Sequence, residues 1–282
     1  METGTAQRGV RKVVYERGAF RETDGVVPQE EEFILTVNGQ DLVGLMCTPT
    51  LLEELALGFL YNEGLIDGLD DVASLRLCEA GRAVDIWLRR SVELPSLHTI
   101  TSGCSGGMTF EALHQRREPL QSALTVTPDQ VLTLARRLQE AAVLYRQTRG
   151  IHAAALARGT ELLFVAEDVG RHNTVDKLAG LCLRRGHPMA DAILIATGRI
   201  SSEMLIKAVR MRVPIVISFS SPTSRSVDLA QAWNITLIGY ARGQTFQVYA
   251  GAGRIVPCCG TTACSCPTTL CSESGLWKSS SP

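Results

Sequence analysis

What this 282-residue chain lacks narrows its function first. No G-x-x-x-x-G-K-[ST] loop is present, and no G-x-G-x-x-G follows a strand-like run, so neither nucleoside-triphosphate hydrolysis nor a dinucleotide fingerprint is supported. The H-x-E and P-C-x-x-C elements of a zinc-activated water are missing, and His152 is followed by Ala153 and Ala154. The chain has no excess of one charge. Its formal net charge of −1 provides no general attraction to nucleic acid or anionic membrane, so any basic site must be local. The N-terminus lacks the apolar core of a signal peptide, and later apolar runs are too short and interrupted to span a bilayer. A cytoplasmic protein with no membrane or nucleic-acid partner is the expectation.

What is present suggests two domains. At 45% hydrophobic composition the chain can bury a substantial core. Residues 1–30 read as a partly ordered arm in which only Val13 to Tyr15 look strand-like. Apolar clusters at 33–37 and 42–46 flank Asn38-Gly39, a tight-turn dipeptide, and predict a hairpin. Thr48-Pro49 then reads as a helix start, with leucines at helical spacing to about Glu63-Gly64. Short strand-like runs at 72–77 and 83–88 complete a small α+β domain over 31–125. Thr127-Pro128-Asp129 caps one amphipathic helix through Leu144. Beyond it, short apolar strands alternate with helical patterns, which predicts an α/β domain over 126–256 with a mostly parallel sheet covered on both faces. Residues 257–282 form a Cys/Ser/Thr-rich tail, read as disordered.

In such folds ligands sit at the carboxyl ends of strands. One predicted strand ends in Glu167-Asp168-Val169-Gly170-Arg171-His172-Asn173, which packs two acids, a guanidinium and an imidazole into one turn. Arg171 could hold a phosphate or carboxylate, and Asn173 or Thr174 could cap the next helix, whose N-terminus favours anions. The purely structural alternative pairs Asp168 with Arg171 and makes His172 a cap. A second strand ends in Thr197-Gly198-Arg199-Ile200-Ser201-Ser202-Glu203, where ordinary capping accounts for Ser201, Ser202 and Glu203 and leaves Arg199 over. Ser220-Ser221-Pro222 and Tyr240-Ala241-Arg242-Gly243-Gln244 follow two further strands. Hydroxyls and arginines at neighbouring strand ends suit a phosphorylated, nucleotide-like ligand.

The cysteines divide into two sets. Cys47, Cys78, Cys104 and Cys182 are scattered singly, as reduced thiols in a cytosolic enzyme are, and five more crowd the tail. Cys104 lies among Ser102, Gly103, Ser105, Gly106 and Gly107, a polar segment unsuited to a core. A thiol on such a loop can attack a sulfur donor, form a persulfide and pass its outer sulfur on. The alternative of a small buried residue fits the other three single cysteines better. His152 and His98 could assist, although a lone histidine is more often structural.

TSGCSGG (101–107), GIHAAAL (150–156), EDVGRHNTVDKLAG (167–180), GRISSEM (198–204), SSPTS (220–224) and YARG (240–243) together resemble the formate dehydrogenase accessory sulfurtransferases, the FdhD/NarQ family. The resemblance implies a C-terminal domain related to cytidine deaminases, a smaller N-terminal domain and a homodimer. It implies sulfur transfer from a cysteine desulfurase to the molybdenum bis(molybdopterin guanine dinucleotide) cofactor, required for formate dehydrogenase activity. By motif match Cys104 would carry the persulfide, within a loop of residues 101–110, and Tyr240, Ala241, Arg242, Gly243, Gln244 and Thr245 would contact the cofactor. Adding Arg171, His172, Arg199 and Ser221 to that site is an inference from their strand-end positions. No catalytic metal of the protein's own is expected.

Two departures from the family pattern shape this reading. Many members carry a Cys-x-x-Cys pair in the loop, whereas Ser105, Gly106 and Gly107 follow Cys104 here, so a relay would use one thiol. The tail cysteines Cys258, Cys259, Cys264, Cys266 and Cys271 match no familiar zinc spacing. Two rival functions remain: a metal-assisted hydrolase, which has no visible ligands, and a non-catalytic chaperone that binds the cofactor without touching sulfur.

Overall fold

A computed structural model describes residues 6–78, 82–90, 99–100, 108–109 and 117–256. The segment expected to be a partly ordered arm is instead a long hairpin of β1 (Gln7–Glu16) and β2 (Ala19–Pro28), paired over all ten positions. Arg17-Gly18 turns it with both φ values positive, as a two-residue hairpin turn requires. Neither face is buried, so the sequence lacks the in-and-out alternation by which a strand is usually recognised.

The expected hairpin around Asn38-Gly39 is present as β3 (Glu31–Val37) and β4 (Gln40–Cys47). With β5 (Val72–Leu77) and β6 (Ala83–Leu88) it forms a four-stranded sheet, ordered β4-β3-β6-β5, in which β3 and β6 run parallel. Phe33, Leu35, Val84 and Ile86 pack against α1 (Leu52–Asn62) from one face of this sheet. The helix starts later than Thr48-Pro49 implied. Leu51 is left-handed, and Thr48 is committed to partners in the other half of the molecule. A two-residue ladder, β7 (Thr99–Ile100) with β8 (Met108–Thr109), follows.

The single helix expected through Leu144 is two. A reciprocal Thr127–Gln130 cap opens α2 (Pro128–Ala141), and the chain breaks at Ala142 before α3 (Val143–Thr148). Glu167 sets the break by accepting hydrogen bonds from the backbone N–H groups of Leu144 and Tyr145, the first turn of α3.

The rest of the chain alternates as expected: β9 (His152–Arg158), β10 (Glu161–Asp168), α4 (Arg171–Arg185), β11 (Ile193–Ala196), α5 (Ser202–Arg210), β12 (Ile215–Ser218), α6 (Ser224–Ala232), β13 (Thr236–Arg242) and β14 (Thr245–Ala250). The six strands make one sheet in the order β10-β9-β11-β12-β13-β14. That sheet is mixed rather than mostly parallel: only β11–β12 and β12–β13 are parallel neighbours. Two-residue turns at Gly159-Thr160 and Gly243-Gln244 leave no length for a crossover, so each forces an antiparallel pair. Four strands, β10, β11, β12 and β13, nevertheless share a direction. Their carboxyl ends meet at one edge, together with the start of β9.

The two halves are joined through α1 and α4, which cross with almost no side chain between them. A Cβ on Gly58 would overlap the carbonyl oxygen of Asp176, and one on Gly180 would overlap that of Glu54. Gly180→Ala is therefore expected to destabilise the protein by at least about 3 kcal/mol in chemical denaturation, because the backbones must part. Gly68→Ala is the control: its added Cβ meets open space and its backbone is extended, so it should change stability by less than about 0.5 kcal/mol.

Candidate functional site

The edge where four strands end carries most of the residues singled out from the sequence, in new roles. Asp168, the last residue of β10, is fully buried, and its partner is Lys177 at 2.6 Å rather than Arg171. Its Oδ1 accepts from the Gly170 N–H and Asn173 Nδ2, and its Oδ2 accepts from the Thr48 N–H and Lys177 Nζ. Lys177 Nζ also donates to the Thr48 carbonyl, and Val169 N–H donates to Thr48 Oγ1. Both acids of the 167–173 turn are thus structural. Asp168 holds the small unit against the rim, and Glu167 caps α3.

A second buried cation lies one layer deeper. Lys207 of α5 donates to Asp176 and to Glu63, each at 2.9 Å, and Asn62 donates to Asp176. Burial pushes the Asp176 carboxyl above its usual range, partly offset by Lys207 and the hydrogen bonds from Asn62 and Lys207. The Lys207 ammonium is raised despite its desolvation, because Asp176 and Glu63 face it. Removing one member of such a buried pair costs about 3–5 kcal/mol. These side chains were missed in the sequence, although Asp176, Lys177 and Gly180 sit at positions of α4 that leave it no continuous solvent face.

α4 begins at Arg171, with Gly170 at its N-cap position, so neither Asn173 nor Thr174 caps it. Asn173 donates to the Met46 carbonyl and to Asp168, and Thr174 Oγ1 donates to the Arg171 carbonyl. α5 has Ser201 at its N-cap position, but the Ser201 hydroxyl makes no cap hydrogen bond and instead lies 3.4 Å from His172 Nε2. Ordinary capping therefore does not account for Ser201. α4 and α5 open on the rim without a side-chain cap among the described residues, whereas α6 is closed by Thr223 and Ser226. The uncapped N–H groups and helix dipoles favour an anion.

Between those helix starts, Arg171 is buried, His172 is nearly so and Arg199 is exposed. Gly198 lets them meet: a Cβ there would stand 3.0 Å from His152 Nδ1 and 3.3 Å from Arg171 Cβ. His152, at the start of β9, thus joins the rim. Burial, reinforced by Arg171, pushes its imidazole pKa down. For His172 the same causes, with Lys207 and His152 adding to Arg171, bring the value to about 3. Both rings lean toward the neutral form.

Ser221 is half-buried after β12, its hydroxyl donating to the Pro222 carbonyl. The stretch from Tyr240 to Thr245 is the β13–β14 turn: Tyr240 is half-buried with φ of 52°, and Arg242, Gly243, Gln244 and Thr245 are exposed. The Ala241 side chain is fully buried in the core cluster that includes α2 residues, so within this turn only its backbone could face a ligand. From β10 to β13 the rim spans four strand spacings, about 19 Å at ~4.8 Å each, enough for a ligand with several phosphates. Cys104, His98 and the five tail cysteines lie outside the described residues. Cys47 and Cys182 are buried, and burial raises both thiols to about 12, as expected of inert core cysteines.

The model of the FdhD/NarQ family matches residues 28–256. A Bacillus licheniformis protein named sulfur carrier protein FdhD is 38% identical over 259 residues, covering 87% of this chain and 98% of the relative. A Staphylococcus haemolyticus protein of the same name is 35% identical over 254 residues, covering 88% and 96%. Among solved structures, a Desulfotalea psychrophila protein assigned as a formate dehydrogenase accessory protein matches with a TM-score of 0.77 and 26% identity. The match covers 89% of this chain and 100% of that one.

His172 makes stability depend on pH with a definite sign. Its folded value of about 3 lies below the ordinary 6.5, so the unfolded chain takes up the proton first and stability present above pH 6.5 is lost toward pH 3. Between pH 7 and pH 5 this one ring should account for about 2 kcal/mol. In urea titrations His172→Gln is expected to lose that much less stability over the interval than the parent protein, and equal losses would contradict the assignment.

Proposed function

The chain belongs to the FdhD/NarQ family, and from that membership we propose that it is a sulfur carrier in formate dehydrogenase maturation, loading sulfur on Cys104. The observation that carries this reading is the family match, which runs through Cys104 and includes relatives named as sulfur carriers. In the proposed step the Cys104 thiolate attacks the outer sulfur of a persulfide on a cysteine desulfurase. One S–S bond forms on Cys104 as the other breaks, and the desulfurase thiolate leaves. An electron pair of the acceptor then attacks that outer sulfur, the S–S bond breaks and the Cys104 thiolate leaves; the acceptor is the molybdenum bis(molybdopterin guanine dinucleotide) cofactor, which is cargo, not a resident group.

The rim supports the cargo half of this reading. Uncapped starts of α4 and α5, the adjoining Arg171 and the exposed Arg199 and Arg242 suit the diphosphates of such a ligand. Asp168, Asp176 and Glu63 are occupied by lysines and do not oppose an incoming anion as free charges would. A homodimer, a cytoplasmic setting and a deaminase-like ancestry for the second half complete the proposal. No helix of the described residues is long and apolar enough to cross a membrane.

Mass spectrometry after incubation with desulfurase and cysteine tests the sulfur step. The parent protein should gain one sulfur at Cys104, and Cys104→Ala should lose that label and fail to support formate dehydrogenase activity. Maturation at the parental level by Cys104→Ala would favour the chaperone reading, in which the cofactor is docked without sulfur transfer.

Arg242 tests the cargo step separately. It is exposed at the end of β13 and carries no fold-supporting contact among the hydrogen bonds and ion pairs of the described residues. Arg242→Ala is expected to weaken guanine-nucleotide affinity about three- to tenfold in calorimetric titration, typical of one exposed charge contact, while persulfide loading is unchanged.

A further inference from the structure

The rim contains one buried carboxyl oxygen that has no hydrogen-bond partner among the described residues. Glu203, in the first turn of α5, is only 8% exposed, and its Oε2 is buried with no hydrogen-bond partner among the described residues. The other buried carboxyl groups near the rim and beneath it behave differently: Asp168 accepts four hydrogen bonds, Asp176 is held by Lys207 and Asn62, and Glu63 by Lys207.

The nearest polar atoms do not satisfy Glu203. His172 Nε2 lies 3.9 Å from Oε2, beyond hydrogen-bond reach, and 3.4 Å from Ser201 Oγ. The ring is neutral at physiological pH, so the pair is not an ion pair. A carboxylate oxygen, an imidazole nitrogen and a hydroxyl therefore converge on one notch with loose spacing. A buried acceptor left in that state is unfavourable relative to one that is paired.

The surroundings specify what would fill the notch. The site is otherwise built for anions, with two uncapped helix starts and the guanidinium groups of Arg171 and Arg199. A carboxylate among them is misplaced for a phosphate and suited to a donor. A ligand that satisfies both halves bears phosphates at one end and N–H donors at the other. A carboxylate accepts best from two adjacent donors, and among the common bases only guanine offers a ring N–H beside an exocyclic amino group on one edge. Adenine and cytosine place an acceptor beside their amino groups.

We propose that Glu203 is the base-reading residue of the rim, accepting from the ring N–H and the exocyclic amino group of a guanine, with Ser201 and His172 beside it. This rests on the nucleotide-bearing cargo proposed above and adds to it the residue that selects the base. Amino-group recognition by a buried acceptor predicts discrimination against a base that lacks the group.

Calorimetric titration of the full chain with GDP, IDP, XDP and ADP tests the assignment. The parent protein should bind GDP at least about tenfold more tightly than IDP, which lacks the exocyclic amino group, and more tightly than XDP or ADP. Glu203→Gln keeps the shape of the side chain but gives it a donor. It should lose at least about tenfold in GDP affinity and gain affinity for XDP, whose oxygen replaces the amino group. Equal affinity of the parent protein for GDP and IDP would overturn the proposal, and this comparison needs no variant to fold. GDP preference retained by Glu203→Gln would overturn it as well, leaving the nucleotide rim intact. Failure of all four nucleotides to bind would remove the rim reading itself.

Discussion

The contact on which the rest of the molecule depends is the crossing of α1 over α4 at Gly58 and Gly180, where peptide groups touch with no side chains between them. That proximity brings Asp176 within reach of Asn62, and Lys207 within reach of both Glu63 and Asp176. It also leaves the segment just before α1 lying on the end of β10, where Thr48 bonds to Asp168, Val169 and Lys177. The small four-stranded unit is therefore a structural wall of the rim. A looser helix pair would separate the charged clusters first, because buried ions tolerate little displacement before desolvation outweighs their attraction.

The arrangement of charge follows from that geometry. Lys177 and Lys207 are completely desolvated, and each is matched by carboxylates at 2.6 to 2.9 Å, so their charge is spent on cohesion rather than on attracting ligands. They still act on their neighbours. Lys207 and Arg171 both help hold His172 neutral. A neutral imidazole adds no charge to the rim and can donate or accept, which a permanently protonated one could not.

Some of this was legible in the sequence. The hairpin at Asn38-Gly39, the Thr127 cap and the alternation of short apolar strands with helices all correspond to local rules: a turn dipeptide, a capping residue and a periodicity. The order in which strands join was not legible, because the two-residue turns at Gly159-Thr160 and Gly243-Gln244 reverse strands whose composition alone reads as parallel. The ribbon at 7–28 was missed because it buries neither face. The site residues split along the same line. Strand-end position singled out Arg171, His172, Arg199, Ser221 and Arg242, and all five lie at the edge where the strands end, whereas alternation along β13 turns the Ala241 methyl inward. Lys177, Lys207 and Thr48 act through partners more than a hundred residues distant or on another helix, and no local pattern in a single sequence encodes such a pairing.

The motif from Glu167 to Gly180 shows why density of polar residues is a poor guide to which of them meets a ligand. Glu167 caps a helix, Asp168 and Lys177 neutralise each other, Asn173 ties down the end of β4, Asp176 receives Lys207, and Gly180 admits α1. Arg171 and His172 stand at the start of α4, on the rim itself. The attraction the rim exerts on an anion then comes chiefly from helix starts and exposed arginines, which solvent and salt screen. Such a surface would hold the proposed polyanionic cargo reversibly. That would suit the proposed carrier role, in which cargo must leave, and would place discrimination among ligands on the few buried polar atoms rather than on the sum of the charge.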